Sequence, residues 1–204
     1  MAKWVTKSGE VSIKIAIVGQ PNSGKKNIIE YVAEQYDQSA LKFASVSGAE
    51  IVRTEFIWPE PVADGPFVRV GLLALSEQPL HQAAEQLLLA DCDGLVFVVN
   101  CDPSKISECK STLASLMSNA SRVGLDWGET MLILQYNNAE QYPNTTPEDL
   151  DSWLGVNVER VERYHTESNK RDHQVLAVNA AIRGVIAKIT QQNAPEAEVA
   201  AAAN

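Results

Sequence analysis

Near its N-terminus the chain reads Ile13-Lys14-Ile15-Ala16-Ile17-Val18-Gly19-Gln20-Pro21-Asn22-Ser23-Gly24-Lys25. The apolar run predicts a buried strand, and the helical spacing of the apolar residues after Lys25 predicts a helix. Two glycines and a lysine at this spacing, between a strand and a helix, form the phosphate-loop pattern. Backbone N–H groups of such a loop and the helix N-terminus bind an anion. The stretch therefore predicts a phosphate site in which Lys25 reaches the β- and γ-phosphates of a nucleotide.

The residue after Lys25 departs from that pattern. The pattern requires Ser or Thr, whose hydroxyl coordinates Mg²⁺, whereas Lys26 has no lone pair to offer while it is charged. Two outcomes are open: the ammonium replaces part of the metal's charge, or it points to solvent and phosphate binding is weaker. Asn27, one residue later, has a side-chain carbonyl oxygen, but the helix turns it about 100° away from the position of Lys26. We predict no metal ligand at these positions, and Mg²⁺ binding stays open.

Apolar runs alternate with helical patterns along the rest of the chain. We predict strands at Ile13–Val18, Glu50–Trp58, Phe67–Leu75, Leu95–Asn100 and Met131–Tyr136, and helices at Gly24–Gln35, His81–Ala90, Ser104–Asn119, Pro147–Leu154 and Asp172–Gln192. The short turn after Trp58 makes the second and third of these strands antiparallel neighbours. The order predicts a three-layer α/β fold, whose mostly parallel sheet has about six or seven strands and one antiparallel edge hairpin.

Length and composition indicate a single globular domain. The 204 residues include 45% hydrophobic ones, enough for one core. We predict an N-terminal extension at residues 1–10, the domain at residues 11–191, and a disordered Ala-rich tail at residues 192–204. The aromatic residues around Trp58 are read either as core or as a partner surface near the sheet edge.

Net charge and cysteine content indicate which partners and which cellular compartment to expect. The net charge of −9 argues against general affinity for nucleic acid or for anionic lipid. The apolar runs are too short to span a bilayer, and the start lacks a signal-peptide pattern. The three cysteines have no Cys-x-x-Cys spacing, which favours reduced thiols. We predict a cytoplasmic protein.

Several further stretches carry a family resemblance. They are the buried strand Leu89–Val99 with its Asp93-Gly94, the strand end Leu132–Asn137, the pair Arg53-Thr54, and Gln78. Together with the phosphate loop they resemble the MglA-like branch of the Ras-superfamily small GTPases, over roughly residues 12–190. The resemblance implies the P-loop NTPase fold of small GTPases, guanine nucleotide (GTP or GDP) as the bound cofactor, and a part in gliding motility and cell polarity. It also implies a roadblock-type regulatory protein as partner.

The resemblance also assigns roles to individual residues. The phosphates fall to the loop and its helix start, and the base falls to Asn137, Asn138 and Glu140. Thr54 falls at a switch position, where it is either a Mg²⁺ ligand or an ordinary strand threonine. Gln78 would orient the attacking water. The residues assigned to nucleotide binding are Gly19, Gln20, Pro21, Asn22, Ser23, Gly24, Lys25, Lys26, Asn27, Thr54, Asn137, Asn138 and Glu140.

Three departures from the family bear on activity. Lys26 replaces the metal ligand, Asn137-Asn138-Ala139-Glu140 stands where the family has Asn-Lys-x-Asp, and Ser76-Glu77-Gln78 stands where it has Pro-Gly-Gln. Two functions therefore remain open. One is a nucleotide-dependent switch with weak or lost GTP hydrolysis. The other is a pseudo-GTPase scaffold that binds a protein partner without a nucleotide cycle.

Overall fold

The computed structural model describes residues 10–39, 41–46, 49–59, 67–75, 82–155 and 161–193. Within these ranges the strands are β1 (Glu10–Gly19), β2 (Leu41–Val46), β3 (Ala49–Ile57), β4 (Phe67–Leu75), β5 (Gly94–Asn100), β6 (Met131–Asn137) and β7 (Glu162–His165). The helices are α1 (Lys25–Gln35), α2 (Gln82–Leu89), α3 (Ile106–Arg122), α4 (Pro147–Leu154), α5 (Arg171–Gln174) and α6 (Leu176–Asn193). Short 3₁₀ turns precede α3 and follow β6.

The strands form one seven-stranded sheet in the order β2-β3-β4-β1-β5-β6-β7. From β4 to β7 every pairing is parallel, whereas β3 is antiparallel to both of its neighbours. The predicted mostly parallel sheet and the antiparallel β3–β4 pair are confirmed. The two outermost strands, β2 and β7, were not predicted from the sequence. Because β2 forms the edge of the sheet, β3 lies one strand inside that edge.

Helices cover both faces of the sheet. One core cluster joins α1 and α6 to the sheet, and a second joins α2, α3 and α4 to its other face. β5 is buried along nearly its whole length, as expected for a central parallel strand covered on both sides. The fold is the three-layer α/β P-loop fold of small GTPases.

Two details of the helices differ from or extend the sequence prediction. The helix predicted at Asp172–Gln192 is two helices, because α5 ends at Gln174 and α6 begins at Leu176. The predicted start of α4 is confirmed: Thr146 and Asp149 form a reciprocal capping box, and Pro147 is the first helical residue.

Trp58 belongs to the core and not to a partner surface. Its side chain is 4% exposed, as is that of Phe56. The ring of Tyr36 stacks on Phe56, with ring centroids 4.0 Å apart, and the guanidinium of Arg183 lies 5.8 Å from the centroid of Trp58. Of the two readings of these aromatics, the structure supports the core.

Candidate functional site

The phosphate loop lies at the carboxyl end of β1 and requires glycine at two positions. Gly19 has φ +148° and Gly24 has φ +95°, conformations that side chains disfavour. A Cβ at Gly19 would lie 2.3 Å from the carbonyl oxygen of Val98 on β5. Close approach between loop and sheet, as well as backbone conformation, therefore excludes larger residues. Asn22, between the glycines, also has positive φ and is exposed, while Pro21 is half-buried.

The Lys25 side chain is buried inside the phosphate loop and hydrogen-bonds to it. Its side chain is 3% exposed, and Nζ donates to the carbonyl oxygen of Gln20 at 2.6 Å and more weakly to Oγ of Ser23 at 3.4 Å. The ammonium is thus held inside the loop, where the sequence pattern expects a phosphate-binding charge. The Gln20 side chain is fully buried, and neither of its amide atoms has a hydrogen-bond partner.

Asn137, at the end of β6, binds the phosphate loop directly. Its Nδ2 donates to the carbonyl oxygen of Ser23 at 2.9 Å. A Cβ at Gly24 would lie only 2.4 Å from the same Nδ2. The absence of a side chain at Gly24 therefore makes room for Asn137, which is 1% exposed. Two segments far apart in sequence, both assigned to nucleotide binding, meet at one point.

The segment after β7 completes this end of the site. Thr166 Oγ1 lies 3.2 Å from Oδ1 of Asn137, and Gln174 Nε2 donates to the same oxygen at 2.7 Å. The backbone N–H of Ala139 donates to the carbonyl oxygen of Thr166, in the 3₁₀ turn that begins after Asn138. The positive φ of Asn138, +64°, starts that turn.

Glu140 is held as a carboxylate by Ser168. The Ser168 backbone N–H donates to Oε2 at 3.1 Å, and the Ser168 hydroxyl donates to Oε1. Burial raises the pKa of Glu140, but hydrogen bonds from the Ser168 side chain, from the backbone of Glu140 and Ser168, and from the Gln141 side chain together outweigh it, so that the pKa lies below its ordinary value. A fixed anion at this position can accept hydrogen bonds from N–H groups of a ligand.

In the described part of the chain, the positions where the phosphate-loop pattern expects Mg²⁺ ligands hold residues that do not suit a metal. The Lys26 side chain is 53% exposed and pairs with Glu30 one turn further along α1, at 3.7 Å. The structure thus matches the second of the two outcomes for Lys26, in which the ammonium points to solvent. Asn27 is also exposed. Within the described ranges no group of three His, Cys, Asp or Glu side chains could hold a metal ion.

The structure places Thr54 within β3 as a buried strand threonine, away from the phosphate loop. Thr54 pairs with Leu72 on β4, and Leu72 pairs with Ile15 on β1. Ile15 precedes Gly19 by four residues, or about 13 Å along a strand. Thr54 is 2% exposed and its hydroxyl has no hydrogen-bond partner. In this structure Thr54 therefore does not lie beside the phosphate loop.

Part of the predicted site lies outside the described residues. This concerns Gln78, assigned to catalysis, and its neighbours Ser76 and Glu77. Gln174 and Thr166, which the structure places next to Asn137, were not among the predicted site residues. Gln174 belongs to no motif. Its sequence signal is only that it is a polar residue directly before the apolar stripe that continues through α6.

Comparison with known proteins gives a distant match over most of the chain. No protein-family model matches. The Mutual gliding-motility protein MglA of Myxococcus xanthus (strain DK1622) is 26% identical over 178 residues, which cover 83% of this chain and 84% of MglA. In the described ranges no helix has both the length and the apolar character needed to cross a bilayer.

The fold and this similarity point in the same direction. A strand, a glycine-containing loop and a helix with a buried lysine are arranged as in nucleotide-binding P-loop proteins. The similarity covers most of both chains. The chain has a small-GTPase fold and is distantly similar to MglA over most of its length, which supports a nucleotide-binding protein of the small-GTPase type.

Proposed function

We propose that this protein binds GDP and GTP as a guanine-nucleotide switch of the MglA type, with weak or lost hydrolysis. The observation that carries the proposal is the hydrogen bond from Asn137 to the carbonyl oxygen of Ser23. It joins the residues assigned to the base to the loop assigned to the phosphates. Such a link is useful to a protein that holds both ends of one ligand.

Each end of the proposed ligand has a matching group. The loop N–H groups, the start of α1 and the Lys25 ammonium attract the phosphates. Glu140, kept ionised by Ser168, accepts from the donor edge of guanine, where adenine has no equivalent pair of donors. The guanine preference rests on this carboxylate, and phosphate affinity rests on the loop.

Weak hydrolysis follows from the start of α1. The Lys26 side chain pairs with Glu30 and supplies no hydroxyl for Mg²⁺. A metal that bridges the β- and γ-phosphates neutralises the charge that develops during transfer. Because this hydroxyl is missing as a metal ligand, we expect nucleotide binding to depend little on Mg²⁺ and hydrolysis to be slow.

The second candidate function is a pseudo-GTPase scaffold. It is favoured by the departures from the family pattern, above all by Lys26, which pairs with Glu30 at 3.7 Å and offers no hydroxyl to a metal. A roadblock-type regulatory protein remains the partner proposed for either function, on the resemblance alone.

Equilibrium binding separates the two functions. Fluorescently labelled GDP and GTP are titrated with the purified full chain, once with Mg²⁺ and once with a chelator. The switch predicts saturable binding in both conditions, competed by unlabelled GDP and not by ADP. Lys25→Met, which keeps the length of the side chain and removes its charge, is the matched variant and should bind far more weakly. Absence of binding in both conditions would leave the scaffold as the function.

A further inference from the structure

The Asn137 side-chain amide is held in one orientation by partners on both of its ends. Its Oδ1 accepts from Gln174 Nε2 at 2.7 Å, and its Nδ2 donates to the Ser23 carbonyl oxygen at 2.9 Å. A flipped amide would put its NH₂ group against the NH₂ group of Gln174 and its oxygen against the Ser23 carbonyl. Both contacts would bring like groups together, so the network admits a single orientation.

The orientation of Gln174 is itself fixed. Its Nε2 carries two hydrogens, and the second partner of this nitrogen is the carbonyl oxygen of Glu167, at 2.8 Å. Gln174 is 1% exposed, so water cannot substitute for either acceptor. The Glu167 carbonyl therefore decides which end of the Gln174 amide faces Asn137.

One hydrogen of Asn137 remains for a ligand. The Nδ2 group has two hydrogens, and the Ser23 carbonyl takes one of them. Thr166 and Gln174 already surround the oxygen end. Asn137 thus offers a donor, and not an acceptor, to a ligand seated beside the phosphate loop. On guanine, the acceptors N7 and O6 share one edge.

We propose that Gln174 is a positioning residue that selects the base by orienting Asn137, so that the free Nδ2 hydrogen meets the N7 and O6 edge of a purine. This inference rests on the proposed function for its ligand. The orientation itself belongs to the protein alone and can be measured without nucleotide.

Two substitutions separate orientation from simple packing. Gln174→Met keeps the approximate volume and removes the donor to Asn137. Gln174→Glu keeps the shape but has only acceptors when ionised, which favours the flipped amide. The matched control is Gln135→Met, because Gln135 is a buried glutamine in the same region. Its Nε2 contacts Thr166 Oγ1 at 3.2 Å and the backbone carbonyl oxygen of Gln174 at 3.4 Å. Neither of these two partners belongs to Asn137.

The first readout needs no ligand. In ¹⁵N-edited NMR spectra, the side-chain amide protons of Asn137 should be well dispersed and slow to exchange in the wild type and in Gln135→Met. Gln174→Met and Gln174→Glu should shift both resonances and speed their exchange at least several-fold. Thermal melts show whether each variant is folded, and either Gln174 variant that folds is sufficient for the test.

The second readout is discrimination between GDP and 7-deaza-GDP, which lacks the N7 acceptor. The wild type and Gln135→Met should bind GDP about tenfold more tightly, whereas the ratio should fall towards one in the Gln174 variants. A general loss of stability would weaken both ligands together and leave the ratio unchanged.

The outcomes distinguish the inference from the proposed function. Unchanged Asn137 resonances in a folded Gln174 variant would overturn the inference, as would an unchanged GDP ratio, even if the wild type binds GDP well. If the Gln174 variants alter the Asn137 resonances while the wild type binds no nucleotide, the result supports the orienting role and overturns the proposed function.

Discussion

The side-chain Nδ2 of Asn137 donates to the backbone carbonyl oxygen of Ser23 across 2.9 Å, although the two residues are 114 positions apart in sequence. The bond joins the end of β6 to the phosphate loop. Because both groups are buried, loss of this bond would leave a carbonyl without a partner, at a cost of about 1–3 kcal/mol.

Gly24→Ala should disrupt the site more than a comparable substitution elsewhere. The new Cβ would lie 2.4 Å from Asn137 Nδ2, at a backbone φ of +95°. Asn137 must then move, and the Ser23 contact is lost with it. We expect destabilisation of about 2–4 kcal/mol in chemical unfolding, together with loss of GDP binding.

Gly124→Ala is the matched control for that substitution. Gly124 also has positive φ, +74°, but no atom lies within 4 Å of the position of a Cβ. It should cost only the backbone strain, about 1 kcal/mol, and GDP affinity should stay at the wild-type value. Equal effects of the two substitutions would show that crowding against Asn137 is unimportant.

Lys26→Thr should make nucleotide binding depend on Mg²⁺. The substitution restores the hydroxyl that the phosphate-loop pattern places after its lysine. We expect affinity for GTP to be at least tenfold higher with Mg²⁺ than with chelator, a difference of about 1.4 kcal/mol. Glu30→Gln, which breaks only the exposed ion pair with Lys26, should leave the metal dependence of the wild type. Identical behaviour of Lys26→Thr and wild type would contradict our account of this position.

Glu140→Gln should reduce guanine preference without affecting phosphate binding. The ratio of GDP to ADP affinity should fall about tenfold or more, while Glu148→Gln, an exposed carboxylate on α4, should keep it. Since hydrogen bonds, those of Ser168 among them, outweigh burial and lower the pKa of Glu140, the carboxylate stays charged above its ordinary pKa. Wild-type discrimination should therefore be constant from pH 8 down to about pH 5. A steep loss near neutral pH would mean that Glu140 is not the group that reads the base.

Glu85→Gln should stabilise the protein at neutral pH. Glu85 on α2 is 1% exposed and accepts a hydrogen bond from Asn119 on α3. Burial raises its pKa above the ordinary value of 4.5, and the Asn119 hydrogen bond offsets this only in part. Folding therefore disfavours the ionised form, and the penalty grows as pH rises from the unfolded towards the folded pKa.

Glutamine can accept the same hydrogen bond without a charge. The free energy of unfolding of Glu85→Gln should exceed that of wild type on the order of 1 kcal/mol at pH 8, with the difference vanishing near pH 4. Denaturant unfolding at several pH values measures it. A difference that is largest at low pH would have the wrong sign for a carboxylate with a raised pKa.

The sequence predicted the fold well because local patterns were strong where the sheet is central. The uninterrupted apolar character of β5 and the glycine spacing after β1 fixed the parallel core and the loop. The outer strands β2 and β7 were missed. β7 has only four residues, none of them fully buried, so it carries no periodic apolar signal.

The site was predicted in part, for a related reason. Gly19, Gly24, Lys25 and Asn137 belong to motifs with fixed spacing, and the structure brings them together. The role of Thr54 stayed open because a two-residue resemblance does not determine strand register, and each position of register moves a residue by about 3.3 Å. Gln174 could not be found, because its contact with Asn137 arises from tertiary packing between segments that share no motif.

The central claim is tested most directly by calorimetric titration of GDP into the full chain in the presence of a chelator, with Lys25→Met titrated in parallel. We predict one binding site per chain, with heat that persists without Mg²⁺ and is greatly reduced in the variant. No heat of binding in the wild type, with the protein shown to be folded and the result unchanged on addition of Mg²⁺, would contradict the account.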